Sequence, residues 1–528
     1  MMRLIFLWMN FCLQETLFDL LIRALVMNKI SGSVCKYVLI GFLLFSPTAI
    51  YANFDFNANC LKAYQSIFEL KLNTARQLIA AEKKIHPDNG IVPLLENYVD
   101  YFYLLTTESK SEFDRLKENK SKRLDQIADG DESSPYYLYA QAEINLQWAL
   151  IRGRYGEYFT AAREIKKANS LLQDNNKKFS GFTLNAKGLG LINAFLGNLP
   201  DGILKSTLST FGIKGNLQAG IAMLDKLSEG LPKSKFEPFY EEVVFYYVFV
   251  LNDIAHSPSA YSKTMKYTAR ISDSSLLKTY LQALVCSRNG HNDEAIRILN
   301  GRPTGVEYQS FPYLEFLQGS AKLNKLDYSA AQDFNRFLQL NKGVNYIKDA
   351  NLRLGWIALL KGDTGAYTVA MNKVKSAGYT YQEKDKQALN EAGESTPNKD
   401  LLKARLLFDG GYYNNALEEL KDGKEEGFAS ARDKTEYYYR LGRINDELGK
   451  DDTALVSYQN AITTGKTLRY YFAANSALQI GRIYERKGNL PKAKAFFNIA
   501  IQMKNHDYES SIETQARAGI KRIDKNAD

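Results

Sequence analysis

Small and apolar residues recur along this chain at a near-constant spacing, and the spacing predicts paired helices. In the clearest stretch Ala477, Ile480, Gly481 and Tyr484 precede Gly488-Asn489, and Ala493, Phe497 and Ala500 follow. Tyr438, Leu441, Gly442, Ala454, Tyr458 and Ala461 repeat the same intervals. Apolar positions three and four apart mark one face of a helix, and a Gly-Asn step between two such faces marks a turn where positive φ costs little. Small residues at Gly481 and Ala493 let the two helices of a hairpin approach closely, while Tyr484 and Phe497 fill the space between successive hairpins.

Weaker copies run upstream with a period of roughly 34–40 residues. Ala404 pairs with Ala416 and Leu420, Gly355 with Tyr367 and Met371, and Gly319 with Ala331. Ala283 pairs with Ala295 and Leu299, Ala149 with Ala161, Ile165 and Ala168, and Ala63 with Ala75, Ile79 and Pro87. The run Val243 to Leu251 reads as one more buried first helix, for about eight hairpins in all. This pattern resembles the tetratricopeptide repeat family. The resemblance implies an all-α, tetratricopeptide-like solenoid of helical hairpins wound as a right-handed superhelix, since one hairpin cannot bury its face alone. Segments 53–240, 241–390 and 391–528 are read as its N-terminal, central and C-terminal repeats.

One stretch breaks the pattern. Gly188 to Leu224 holds seven glycines and three charged residues. Phe182–Leu196 fits a first helix and Asn216–Glu229 a second, with an insertion at 197–215 where a repeat has a tight turn. Leu199-Pro200 breaks the chain, and Asp201 can cap a short helix reaching Thr210. Ile203, Leu204, Leu208 and Phe211 form an apolar stripe there, read either as core plugging the superhelix, as an apolar ligand or membrane contact, or as a partner groove. The spacing Gly188-x-Gly190-Leu-x-Asn193, Leu199-Pro200, Leu204-Lys205 and Phe211-Gly212-x-x-Gly215 is similar to a eukaryotic tetratricopeptide family of outer mitochondrial membranes and inclusion-body clearance.

The N-terminus changes the expected compartment. A basic stretch up to Lys36, the apolar run Tyr37–Phe45 and the small residue Ala52 form a secretory signal peptide over 27–52. Residues 1–26 read as an over-extended start or as an extra membrane-active leader. The protein is expected to be exported, into a bacterial periplasm or beyond. The formal charge of +9 is spread along the chain rather than gathered into blocks, which argues against nucleic acid as a partner. Beyond Ala52 only Cys60 and Cys286 remain, enough for a single disulfide whose formation the sequence leaves open.

Catalytic and metal motifs do not assemble. His86, His256, His291 and His506 lie far apart without metal-ligand spacing, so no metal or cofactor is expected. Gly188-Leu-Gly190 lacks the third glycine of a dinucleotide loop, having Asn193 there, and no strand precedes it. His86-Pro87-Asp88 matches a J-domain tripeptide but falls where the spacing from Ala75 demands a helix end and turn. Solenoids of this family bind extended segments on the concave face of their first helices. In the last two copies the resemblance places Tyr439, Arg443, Asp446, Leu478, Arg482 and Arg486 on that face. The Lys and Asn of carboxylate-clamp versions are replaced by Tyr439 and Leu478, and by Arg443 and Arg482. The expected function is a non-enzymatic scaffold or assembly factor that binds envelope proteins or peptide segments, with a lipid-contacting carrier as the alternative.

Overall fold

The computed structural model describes residues 54–525, apart from 200–202, 211, 213, 422–426 and 429. The segment 27–52, expected to be a signal peptide, and the residues before it lie outside the described residues. Every regular element among the described residues is a helix. The first pair is α1 (Ala58–Phe68) with α2 (Leu72–Ile85). Next come α3 (Ile91–Thr107), the short α4 (Lys110–Leu116) and α5 (Asn119–Ala128), with α5 packed back on α3. Then α6 (Pro135–Arg154) pairs with α7 (Tyr158–Lys178). In the central stretch are α8 (Asn185–Gly197), α9 (Ile203–Thr210) and α10 (Leu217–Gly230); α8 packs on α10, and α9 lies on α7.

The pair α11 (Tyr240–Phe249) and α12 (Ala260–Thr268) follows, with α11 running on into a π-helical turn at Val250–Ile254. Three regular pairs come next: α13 (Leu276–Arg288) with α14 (Asn292–Asn300), α15 (Tyr313–Asn324) with α16 (Ala330–Leu340), and α17 (Ile347–Leu360) with α18 (Thr364–Ser376). A single helix, α19 (Glu383–Ala392), leads to α20 (Lys399–Asp409) with α21 (Tyr413–Glu418). The chain ends with α22 (Ala431–Glu447) on α23 (Asp451–Gly465), α24 (Phe472–Arg486) on α25 (Leu490–Gln502), and α26 (Glu509–Lys525) over the last pair. Eleven pairs are thus described, more than the eight expected. The α3–α5 pair escapes the small-residue spacing because α4 interrupts it and α3 is apolar almost all round.

Local chemistry sets the helix starts. The Ser134 hydroxyl accepts from the Tyr136 N–H ahead of a first-turn Pro135, Ser275 accepts from the Lys278 N–H, and Asn489 accepts from the Lys492 N–H. Packing follows the small residues. A Cβ built at Gly481 would sit 2.5 Å from the Phe497 ring, and one at Gly442 would sit 2.4 Å from Tyr458. Ala63, Ala75, Ala149, Ala161, Ala283, Ala295, Ala404 and Ala416 are all buried, as their spacing requires. The Gly319 pair is shifted by one: Phe334 covers Gly319, and Ala330 is buried instead of Ala331. An extra turn at 328–329 delays the start of α16 and moves the register.

The same test explains the glycines of the central stretch. A Cβ at Gly220 would lie 2.5 Å from both the Gly190 carbonyl oxygen and the Ala194 nitrogen. The α8 and α10 backbones therefore touch, which only glycine permits. Leu208 on α9 is buried at 1% exposure, so this member of the apolar stripe is core and offers nothing to a ligand or membrane. The side chains of Ile203, Leu204 and Phe211 lie outside the described residues. Among the described residues no helix is long and apolar enough to cross a membrane.

Contacts distant in sequence bring successive coils together. The Gln309 N–H donates to the Leu70 carbonyl at 2.7 Å, and Asn345 donates to Glu108 at 2.9 Å. The α13–α14 turn rests on the α20–α21 turn, where a Cβ at Gly411 would fall 2.1 Å from the Gly290 carbonyl oxygen. Both glycines hold positive φ, 75° and 83°. Cys60 and Cys286 are both free and buried, so they do not pair.

Candidate partner-binding groove

First helices of successive pairs carry a row of aromatic and charged side chains that face a common space. Tyr280 on α13, Tyr313 and Phe316 on α15, Arg353 on α17 and Lys384 on α19 all line a groove of about 700 Å³. The rings support one another: Tyr313 and Tyr346 have centroids 4.8 Å apart, and Phe316 and Tyr346 5.0 Å. Burial raises the phenol pKa of Tyr280, Tyr313 and Tyr346, which keeps them neutral as hydrogen-bonding groups. Tyr381, just before α19, lines the same groove and is 54% exposed.

Most of the charges in this groove are tied in pairs. Arg154 meets Glu108 at 2.5 Å, Arg288 meets Asp253 at 2.6 Å, and Arg353 meets Asp349 at 3.1 Å. The π-helical turn after α11 is what brings Asp253 to Arg288. Four acidic and four basic side chains line the space, so it is balanced. Asp385 on α19 accepts from the backbone N–H groups of Tyr346, Lys348 and Asp349, at 2.6, 2.9 and 3.1 Å. This carboxylate fixes the N-terminus of α17 against α19, and burial nevertheless lifts its pKa to about 6.

Two further cavities adjoin the groove. Toward the N-terminal repeats an apolar recess of about 330 Å³ is lined by Tyr101, Leu150, Phe195, Phe249, Leu281 and Leu284 among others. It shares Leu105, Gly153, Arg154, Tyr158 and Tyr280 with the groove and therefore lies beside it. Toward the C-terminal repeats a space of about 140 Å³ shares Glu383 and Gln387 with the groove. There Arg405 pairs with Glu391 at 3.2 Å and lies over the Trp356 ring, and Arg440 pairs with Glu436 at 2.8 Å.

None of the six residues expected on the concave face lines these three cavities. Tyr439 is 2% exposed, its ring packed against Tyr471 and Phe472 of the next repeat. Leu478 is 1% exposed in the same core. Both are corrected from contact residues to packing residues: α22 is covered by α24 as well as by its own partner helix α23. Asp446 accepts from Tyr458 and pairs with Arg486 at 2.7 Å. Arg443 donates to the Tyr439 hydroxyl and lies over Phe408, and Arg482 donates to Gln479 and Gln515. The side chains that do line the groove were missed because no repeat-level signal marks them. They come from loops and helix ends as much as from first helices, and Glu108 and Asn345 meet across 237 residues of sequence.

Comparison with known proteins bears on the ends of this groove unequally. The tetratricopeptide repeat family model matches residues 435–464 and 474–507. No curated protein matches the chain. Among solved structures, the crystal structure of the APC/C hetero-tetramer Cut9–Hcn1 aligns over 88% of this chain and 96% of its own, at 12% identity and a TM-score of 0.26. The pairs α22–α23 and α24–α25 are thus the segments that the tetratricopeptide repeat model recognises, and they are the two copies whose spacing is clearest in the sequence.

Proposed function

We propose that this chain is a protein-binding scaffold that holds an extended segment of a partner in the groove along its first helices. The observation that carries the reading is a row of adjoining cavities lined by pairs from α6 to α22, in a chain whose C-terminal end matches a repeat family of binding modules. Neutral phenols, amides and paired charges suit a polypeptide backbone with mixed side chains. The export signal expected at 27–52 makes the partner an envelope protein and the compartment a periplasm. The similarity of 188–215 to the eukaryotic family is read as one of build, a close α8–α10 contact, and not as a mitochondrial role. The lipid-carrier alternative loses support where Leu208 is covered.

Site-specific photo-crosslinking in cells tests the reading. A crosslinker at Tyr381 or Tyr158, both on the groove, should trap one dominant protein, and a crosslinker at the exposed Val456, outside the groove lining, should not. Equal trapping from Val456, or none from the groove positions, would sink it. Fractionation with external protease tests the compartment separately.

A further inference from the structure

Phe54 lies ahead of the first helix and is nevertheless a core residue, 7% exposed. Its ring fills a slot walled by two glycines: a Cβ built at Gly90 or at Gly130 would sit 2.7 Å from it. Gly90 stands at the start of α3 and Gly130 just after α5, and Tyr137 of α6 meets the ring edge-on at 6.2 Å between centroids. The next residue is held by its backbone. The Asp55 N–H donates to the Asn89 side-chain oxygen at 3.2 Å, and the Asn89 amide donates to the Asp55 carbonyl at 2.8 Å. Phe56 then packs edge-on against Tyr64 of α1 and against Phe239, just before α11, with centroids 5.9 and 5.0 Å away. Asn57 caps α1, its side chain accepting from the Asn59 and Cys60 N–H groups. Residues 54–57 are thus pinned to the second, third and fifth pairs as well as to their own.

Only Asn53 separates this pinned run from Ala52, where the expected signal peptide ends. A protease cuts chain that is exposed or transiently opened, because the segment around the bond must enter its cleft. We infer that docking of residues 54–57 and removal of the 27–52 segment compete: with Phe54 in its slot the Ala52–Asn53 bond is shielded, so hydrolysis comes first and docking follows. This rests on cleavage after Ala52. The step adds one water across the Ala52–Asn53 amide and leaves the Ala52 carboxylate and the Asn53 amine. A chain that docks Phe54 before it is cut keeps the apolar run Tyr37–Phe45, and with it a hold on the membrane.

A purified bacterial signal peptidase in detergent micelles tests the inference, with cleavage read by gel shift and N-terminal sequencing. The full-length chain, folded as judged by circular dichroism and melting, is compared with a synthetic peptide of residues 30–60. The folded chain should be cut about tenfold to a hundredfold more slowly than the peptide, since opening must first expose a buried phenylalanine. Ten Gly and Ser residues inserted between Asn53 and Phe54 leave the slot filled and should restore the peptide's rate with melting unchanged. Phe54→Ser, which empties the slot, should restore it as well.

A folded chain cut as fast as the peptide would overturn the competition. So would a spacer variant that stays slow, because the shielding would then come from somewhere other than residues 54–57. A peptide left uncut after Ala52 would overturn the expected signal peptide, and this inference with it.

Discussion

The Lys187 ammonium lies 2.5 Å from the Glu242 carboxylate, and neither side chain is exposed to solvent. A second carboxylate, Glu143, stands 2.9 Å from the same ammonium, and the Tyr64 and Tyr98 hydroxyls donate to Glu242 at 2.5 and 2.6 Å. Five helices, α1, α3, α6, α8 and α11, meet on this cluster. Removing one partner of a buried ion pair leaves the others uncompensated. Lys187→Met is therefore expected to cost about 3–5 kcal/mol. Lys187→Met combined with Glu242→Gln should recover part of that loss, because the pair is coupled. Urea unfolding of both variants measures it. A Lys187→Met protein as stable as the parent would show that the cluster does not hold these helices together.

One member of this cluster, Glu143, has its pKa raised toward neutrality. Burial, with the Glu242 charge beside it, lifts the Glu143 carboxyl to about 7 in spite of Lys187. The folded chain then holds a proton that the unfolded chain has released. Stability contributed by Glu143 is full below the ordinary carboxylate range, falls as pH rises toward 7, and is flat above it. Glu143→Gln keeps the neutral shape and removes the slope. Relative to the parent it should gain on the order of 1–3 kcal/mol between pH 5 and pH 8. Glu241, lifted to about 7, and Asp385, to about 6, titrate in both proteins and cancel in the difference. Parallel stability–pH curves for the two proteins would refute the assignment.

Two glycines of α10 should respond in opposite directions. Gly220→Ala forces a methyl group against the Gly190 oxygen and the Ala194 nitrogen, backbone atoms that cannot rotate away. Overpacking of that kind costs about 1–3 kcal/mol. Gly230, at the end of the same helix, has nothing within 4 Å of a built Cβ. Gly230→Ala should be neutral or gain up to about 1 kcal/mol, since alanine loses less backbone freedom on folding. Melting temperatures of the two single variants decide the point.

The repeats were legible because their signal is local. Gly481 and Phe497, or Ala404 and Ala416, lie within one hairpin, and the small residue and its ring are separated by a fixed count. The groove and the ion cluster were not legible, for a common reason. Lys187 and Glu242 are 55 residues apart, and Glu108 and Asn345 237 apart. Such contacts depend on how steeply the coils wind, which hairpin spacing does not state. Tyr439 and Leu478 were misread for a related reason. A first helix touches its own second helix and the next first helix, and pattern alone does not say where the second contact stops.

That misreading sorts substitutions in the C-terminal repeats. Tyr439 sits in a core with Tyr458, Tyr471 and Phe472, and truncating a buried aromatic costs about 3–5 kcal/mol. Tyr439→Ala should melt the C-terminal repeats at lower temperature, and any loss of a partner in that variant would report unfolding. Arg486 is half exposed and pairs with Asp446 and Asp451. Arg486→Ala should cost less than about 1 kcal/mol, as surface pairs do. Tyr381→Ala, on the groove and outside any core, should leave melting unchanged and lower the crosslinking yield of the partner. Measuring melting and yield on all three variants separates packing from recognition. A Tyr381→Ala protein that keeps its full yield, beside an Arg486→Ala protein that loses it, would return the binding face to the last two repeats.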